Sequence, residues 1–80
     1  MYETNLTRVR RAFQSVLGNN AASAVVPGAT MEEIDGWDSL NFLNLVMAIE
    51  AEFDIRMTTL EAASLNSVDA ILDYLESKLN

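Results

Sequence analysis

Residues 37–53, Trp37-Asp38-Ser39-Leu40-Asn41-Phe42-Leu43-Asn44-Leu45-Val46-Met47-Ala48-Ile49-Glu50-Ala51-Glu52-Phe53, decide how this chain folds. Phe42, Leu45, Val46, Ile49 and Phe53 recur at the spacing of one helix face, which predicts a helix over 39–53 with that stripe turned to the core. Asp38 is its natural N-cap, because a carboxylate there accepts from the free N–H groups of the first turn. Leu40, Leu43 and Met47 form a second apolar stripe on a neighbouring face, more than a surface helix needs. That stripe either packs beneath a loop or docks a partner, and its extent favours docking. Ser39 projects outward in the first turn, beside backbone N–H groups that favour anions, which suits a phosphate-linked group. Asp-Ser is also simply a common way to begin a helix.

The flanking segments read as helical too. Leu6, Val9, Phe13, Val16 and Leu17 predict a helix over about 4–17, stopped by Gly18, with Arg8 and Arg11 facing solvent. Residues 19–37 form a long connection in which Val26-Pro27-Gly28 and Gly36 deny a continuous helix. A loop of that length is either functional or pinned, and Val25, Val26, Met31, Ile34 and Trp37 are there to pin it. Glu32, Glu33 and Asp35 keep its outer side wet. A short helix over 59–63 starts at Thr58 or Thr59. A last helix follows Asn66-Ser67 with Val68, Ile71, Leu72, Leu75 and Leu79 inward and Ser67 as cap. No stretch alternates as a strand. The expected architecture is all-α: a four-helix bundle of three longer helices and one short one, with a long loop between the first two, in one domain over residues 1–80.

Composition narrows the chemistry. The chain has no cysteine and no histidine. It therefore lacks a thiolate nucleophile, the usual general base and the commonest transition-metal ligand. No Ser-His or Cys-His pair can form within it, so no catalytic residue is expected. Glu50, Glu52 and Asp54 lack the glycine-centred spacing of a calcium loop and read as a solvated, self-repelling acidic face; no metal ligands are assigned. The net charge of −7 is uneven: Arg8, Arg10 and Arg11 against Glu3 give +2 in residues 1–20, and eleven acids against Arg56 and Lys78 give −9 beyond. Such a surface repels nucleic acid and suits partners with basic patches. Acidity also simply keeps a small domain soluble. No apolar run reaches the length of a membrane span, and a cytoplasmic monomer is expected.

Gly36-Trp37-Asp38-Ser39-Leu40, followed by Leu45 to Ile55 and then Ser67-Val68, resembles the acyl carrier protein family, in its stand-alone, specialised-pathway form. The likeness spans nearly the whole chain and is strongest over 36–55. It implies that Ser39, between Asp38 and Leu40, is the attachment point of 4′-phosphopantetheine, moved there from coenzyme A by a phosphopantetheinyl transferase. The arm's thiol holds acyl groups as thioesters, so a cysteine-free protein gains its sulfur with the cofactor. The carrier then presents the group to acyl-loading and acyl-processing enzymes of fatty acid, polyketide or other lipid metabolism. Leu40, Leu43, Met47 and Glu50 become the partner-binding face. Where such carriers usually bear acids in the first turns of this helix, this chain has Asn41 and Asn44, which implies a narrower set of partners. Two other readings stay open: an aminoacyl or peptidyl carrier, a class that tends to be less acidic, and an acidic helical adaptor that bears no prosthetic group.

Overall fold

In a computed structural model, residues 2–79 are described, with side chains from Thr4 onward. Five α-helices follow in order: α1 (Tyr2–Leu17), α2 (Asn19–Ser23), α3 (Ser39–Phe53), α4 (Thr59–Ala63) and α5 (Val68–Leu79). One 3-10 turn lies at Met31–Glu33. The fold is all-α with three long helices, as the periodicity requires; the nearest thing to a sheet among the described residues is an isolated antiparallel bridge between Thr30 and Ser67.

The predicted inner faces meet in one core. Val9 and Phe13 of α1, Leu45, Ile49 and Phe53 of α3, and Val68, Ile71, Leu72 and Leu75 of α5 are all buried in it. Val46 is buried as well, and Phe42 packs against the core from its edge. Leu79 departs from expectation: it lies past the last core turn of α5 and is exposed. The core is closed, with about 10 Å³ free among Phe13, Trp37, Phe42, Leu45, Ile49 and their neighbours. That is at the threshold for a single water.

The helix ends are held by side chains. Asp38 Oδ1 accepts from the Asn41 N–H at 3.1 Å, as predicted for the α3 cap. Thr58 and Glu61 form a reciprocal capping box at α4, with the Thr58 N–H donating to Glu61 Oε1 at 2.8 Å and the Glu61 N–H to Thr58 Oγ1 at 3.1 Å. Ser67 Oγ accepts from the Ala70 N–H at 3.1 Å and caps α5. At the far end of α3, Asp54 adopts the left-handed conformation (φ 55°, ψ 51°), and the N–H groups of Asp54 and Ile55 both reach the Glu50 carbonyl.

The connection from 18 to 38 is more ordered than its composition suggests. It contains α2, anchored by buried Ala21, and the 3-10 turn, closed by a second capping box between Thr30 and Glu33. Val25, Ile34 and Trp37 are buried and Met31 packs against the core, but Val26 is exposed and pins nothing. Arg10 Nε donates to the Val25 carbonyl at 2.7 Å and ties the end of α2 back to α1.

The solvated reading of the charges on α1 and α3 holds for Arg11 and Asp54, which are exposed, and fails for Arg8, Glu50 and Glu52. Arg8 stacks over the Phe53 ring, 4.2 Å from its centroid, and donates both to the Glu52 carbonyl and, at 3.3 Å, to Glu52 Oε2. Arg11 Nη1 reaches the same carboxylate oxygen at 3.0 Å. Glu52 is thus the partner of two arginines, and only 18% of its side chain is exposed. Glu50 also turns inward along the chain: its Oε2 accepts from the Met57 N–H at 2.7 Å and fixes the link to α4. The stems of these side chains cover apolar surface while their charges pair, which a helical-wheel reading of one helix does not reveal.

Candidate functional site

The mouth of α3 is positioned by α1. Trp37 is buried edge-on against Phe13, with ring centroids 5.0 Å apart at 87°. Gly36, one residue earlier, has φ +88°, and a Cβ placed there would come within 3.0 Å of the Leu17 side chain. The positive φ favours glycine there, and any larger residue would also have to push the Leu17 side chain aside. Asn41 Nδ2 donates to the Gly36 carbonyl at 2.9 Å, closing the turn over the start of α3. These contacts leave little freedom in how Asp38 and Ser39 are presented.

Ser39 is the first residue of α3 and is exposed. Its hydroxyl has no hydrogen-bond partner within the described residues, and neighbouring Asp38 is occupied as the cap. The backbone N–H groups of Ser39 and Leu40 belong to the first turn, where no intrahelical acceptor exists. The site thus offers a free hydroxyl beside unpaired amide donors at the positive end of a fifteen-residue helix. This arrangement receives a phosphoryl group well and activates nothing by itself.

Beyond Ser39 the outer stripe of α3 is open to solvent: Leu40 is 86% exposed, Leu43 65% and Met47 57%. It does not pack beneath the long connection. Asn41 and Asn44 lie between these residues in sequence, so the first three turns of α3 carry no charge. Glu50, named with this face, is half-buried and bonded to Met57. Leu60 on α4 is 85% exposed, an apolar position that periodicity missed because a five-residue helix has too few positions to show a face.

On the other flank of Ser39 lies an open groove of about 700 Å³. It runs between Trp37-Asp38-Ser39 and the bridged segments Thr30–Glu32 and Asn66–Ser67. The bridge is closed by the Met31 N–H to the Asn66 carbonyl at 3.0 Å and the Val68 N–H to the Ala29 carbonyl at 2.9 Å. No sequence signal pointed to this groove, because it brings the segment from Thr30 to Ser39 against Asn66–Ser67, which lie far along the chain. Among the described residues no three acidic side chains converge in a way that would hold a metal ion, and no helix is long and apolar enough to cross a membrane.

The family model for the phosphopantetheine attachment site matches residues 7–75. The chain belongs to that family, as the acyl-carrier resemblance of its sequence implied. It is a carrier protein rather than an enzyme, and its prosthetic group is 4′-phosphopantetheine. Among curated proteins it is similar to the acyl carrier protein of Buchnera aphidicola subsp. Schizaphis graminum (strain Sg), with 28% identity over 71 residues that cover 89% of each chain. No solved structure matches it significantly. The residues at the mouth of α3 fit the group: an exposed hydroxyl, unpaired N–H donors for the phosphate and an adjoining groove.

Proposed function

We propose that residues 1–80 act as one carrier domain that bears phosphopantetheine on Ser39 and presents acyl thioesters to partner enzymes in the cytoplasm. The observation that carries this reading is the exposed, unbonded Ser39 hydroxyl at the N-terminus of α3. Ser39 Oγ attacks the pantetheine-bearing phosphorus of coenzyme A. The new P–O bond forms as the bond to adenosine 3′,5′-bisphosphate breaks, and the Ser39 proton passes to a base on the transferase. This chain supplies no base: Asp38 is committed to the Asn41 N–H. Its contribution is to hold the nucleophile outward and to give the resulting phosphodiester the first-turn N–H groups as donors. When bound, the group supplies a thiol on a long arm, on which acyl chains of fatty acid or polyketide type ride as thioesters.

Leu40, Leu43 and Met47 form the docking face for the transferase and for acyl-loading and acyl-processing enzymes, with Glu50 at its end. Their exposure supports this role, since three large apolar side chains on a monomer's surface need a reason. The basic patches of such enzymes meet Glu32, Asp35 and Asp38 around the mouth of α3.

The test is intact mass after incubation with coenzyme A, magnesium and a broad-specificity phosphopantetheinyl transferase. The native chain gains one phosphopantetheine, and Ser39→Ala gains none while keeping its fold. A native chain that stays at its original mass beside a control carrier that loads would leave the adaptor reading. Partner range is tested by comparing acylation of the native chain and Asn41→Asp/Asn44→Glu with a generic fatty-acid enzyme. Faster acylation of the variant is expected, and equal rates would refute the narrow partner set.

A further inference from the structure

We infer that Trp37 partitions the site at Ser39 from the helical core, so that this carrier keeps its cargo outside the bundle and suits short or oxygen-bearing acyl groups rather than long alkyl chains. This rests on Ser39 as the attachment point and narrows the class of acyl group carried there.

Trp37 stands just before Asp38 and Ser39 in sequence and borders two spaces at once. One side of it faces the open groove beside Ser39, and the other faces the core void bounded by Phe13, Phe42, Leu45, Ile49 and Ile71. A chain attached through Ser39 that turned inward between the connection and α3 would meet the indole first. The void behind it holds about 10 Å³, room for about one water. A methylene group fills nearly as much space as a water, so no run of methylenes fits without moving core side chains. Protein interiors are packed as densely as organic crystals, and added volume must displace what is already there.

The indole is held from several sides. Trp37 is 4% exposed, and its ring meets Phe13 edge-on with centroids 5.0 Å apart. The Trp37 backbone N–H donates to the carbonyl of buried Ile34 at 3.1 Å. One residue back, Gly36 lies close to the Leu17 side chain, and its carbonyl accepts from Asn41 at 2.9 Å. Swinging the ring outward would break these contacts and expose both the indole and Phe13 to water. A long alkyl chain kept outside stays in water, which each of its methylenes disfavours. Short acyl groups, and those bearing hydroxyl or keto oxygens, have little apolar surface to shelter. They are the cargo that a closed bundle presents without that cost.

The experiment loads the full chain from acetyl-coenzyme A and from octanoyl-coenzyme A with a broad-specificity phosphopantetheinyl transferase, and intact mass verifies each product. Each methylene buried in the core would raise the melting temperature by roughly 3–6 °C, so a sheltered octanoyl chain would stand well clear of acetyl. In the native chain the two forms are expected to melt together. Trp37 is the chain's only tryptophan, and its fluorescence emission should be the same in both. The octanoyl methylene protons should show no nuclear Overhauser contacts with Leu45, Ile49 or Ile71. Trp37→Ala removes the partition and opens a cavity, so its octanoyl form is expected to melt above its acetyl form and to gain those contacts. Trp37→Leu, which leaves a smaller apolar side chain in the core, repeats the comparison if Trp37→Ala does not fold. A native octanoyl form that melts higher and contacts Leu45 and Ile71 overturns the exclusion of long chains. Folded variants whose two forms still melt together overturn the role of Trp37 as the barrier. A native chain that gains no mass from either donor, beside a control carrier that loads from both, overturns the attachment at Ser39 and this inference with it.

Discussion

Gly36→Ala tests whether α1 sets the presentation of Ser39. Gly36 sits at φ +88°, where a side chain costs about 1–2 kcal/mol from the clash of Cβ with the following carbonyl. The added Cβ also meets the Leu17 side chain at 3.0 Å and must push it aside, an overpacking cost of about 1–3 kcal/mol. The narrower unfolded ensemble of alanine returns roughly 0.4–1 kcal/mol. The expected net loss is about 1–4.6 kcal/mol, nearer the lower end because the Leu17 tip can turn aside, and melting falls by roughly 4–8 °C for each kcal/mol in a domain of this size. Gly28→Ala is the control. Its φ is +90°, yet nothing lies within 4 Å of the added carbon. It carries the strain without the contact, so its loss should stay near 1 kcal/mol or below. Thermal unfolding followed by circular dichroism gives both values, and the transferase rate on each folded variant gives the consequence at Ser39. Gly36→Ala should melt at the lower temperature and load more slowly at a temperature where both are folded. Equal melting temperatures would refute the claim that Gly36 matters through its approach to Leu17. Equal loading rates would refute the claim that this contact positions the site.

Glu52→Gln leaves Arg8 and Arg11 without their shared carboxylate. It should cost about 1–2 kcal/mol in urea unfolding at low salt, less than a fully buried pair because Arg11 is largely exposed; an unchanged midpoint would return Glu52 to the solvated class. Burial, followed by the nearby Glu61 carboxylate, pushes the Tyr74 hydroxyl above its ordinary pKa, and that hydroxyl is buried with no hydrogen-bond partner. Tyr74→Phe should therefore be neutral or raise the melting temperature, and a fall would show that the approach of this hydroxyl to the Glu61 carboxylate stabilises the fold as a hydrogen bond does. The Thr58 backbone N–H holds the Glu61 carboxylate below the usual glutamate range. A lowered folded pKa adds stability that is present above the unfolded value and lost as pH falls through the folded one. The stability difference between the native chain and Glu61→Gln should accordingly shrink through that acid window, and a difference constant with pH would refute the capping role.

The long helices were legible because each repeats one face three or more times. For α3 both faces were readable, and the exposure of the second stripe excludes one of the two uses open to it: Leu40, Leu43 and Met47 do not lie beneath the loop. What escaped the sequence is long-range or too short to be periodic. Glu52 pairs with arginines 44 and 41 residues away, and local pattern carries no information about partners at that distance. Residues 19–23, Asn-Asn-Ala-Ala-Ser, have one buried member, Ala21, so no stripe announces α2. The groove beside Ser39 depends on the Thr30–Ser67 bridge, a pairing of single residues with no strand pattern around it. Leu79 misled for the opposite reason: the period continues along α5 after the core it would face has ended.

On the docking reading proposed above, the two faces of α3 divide stability from function, and this division can be measured. Leu45 and Ile49 are 2% exposed and sit in the core with Phe13 and Leu72. Truncating either to alanine should cost about 2–5 kcal/mol, enough to unfold a marginal domain of this size. Leu43 and Met47 stand on the same helix, two residues from each of these in turn, and touch mainly solvent. Leu43→Asn and Met47→Gln should move stability by no more than about 0.5 kcal/mol. If the outer stripe docks partners, the same two changes slow transferase loading, chiefly through KM, because they remove apolar contact without disturbing Ser39. The adaptor and carrier readings both require the stripe, but only the carrier requires that loading at Ser39 depend on it. A pair of outer variants that melt with the native chain and load at the native rate would mean that the exposed leucine and methionine serve some other encounter. A pair that melts early would mean that the stripe is core after all, and that the separation of the two faces fails.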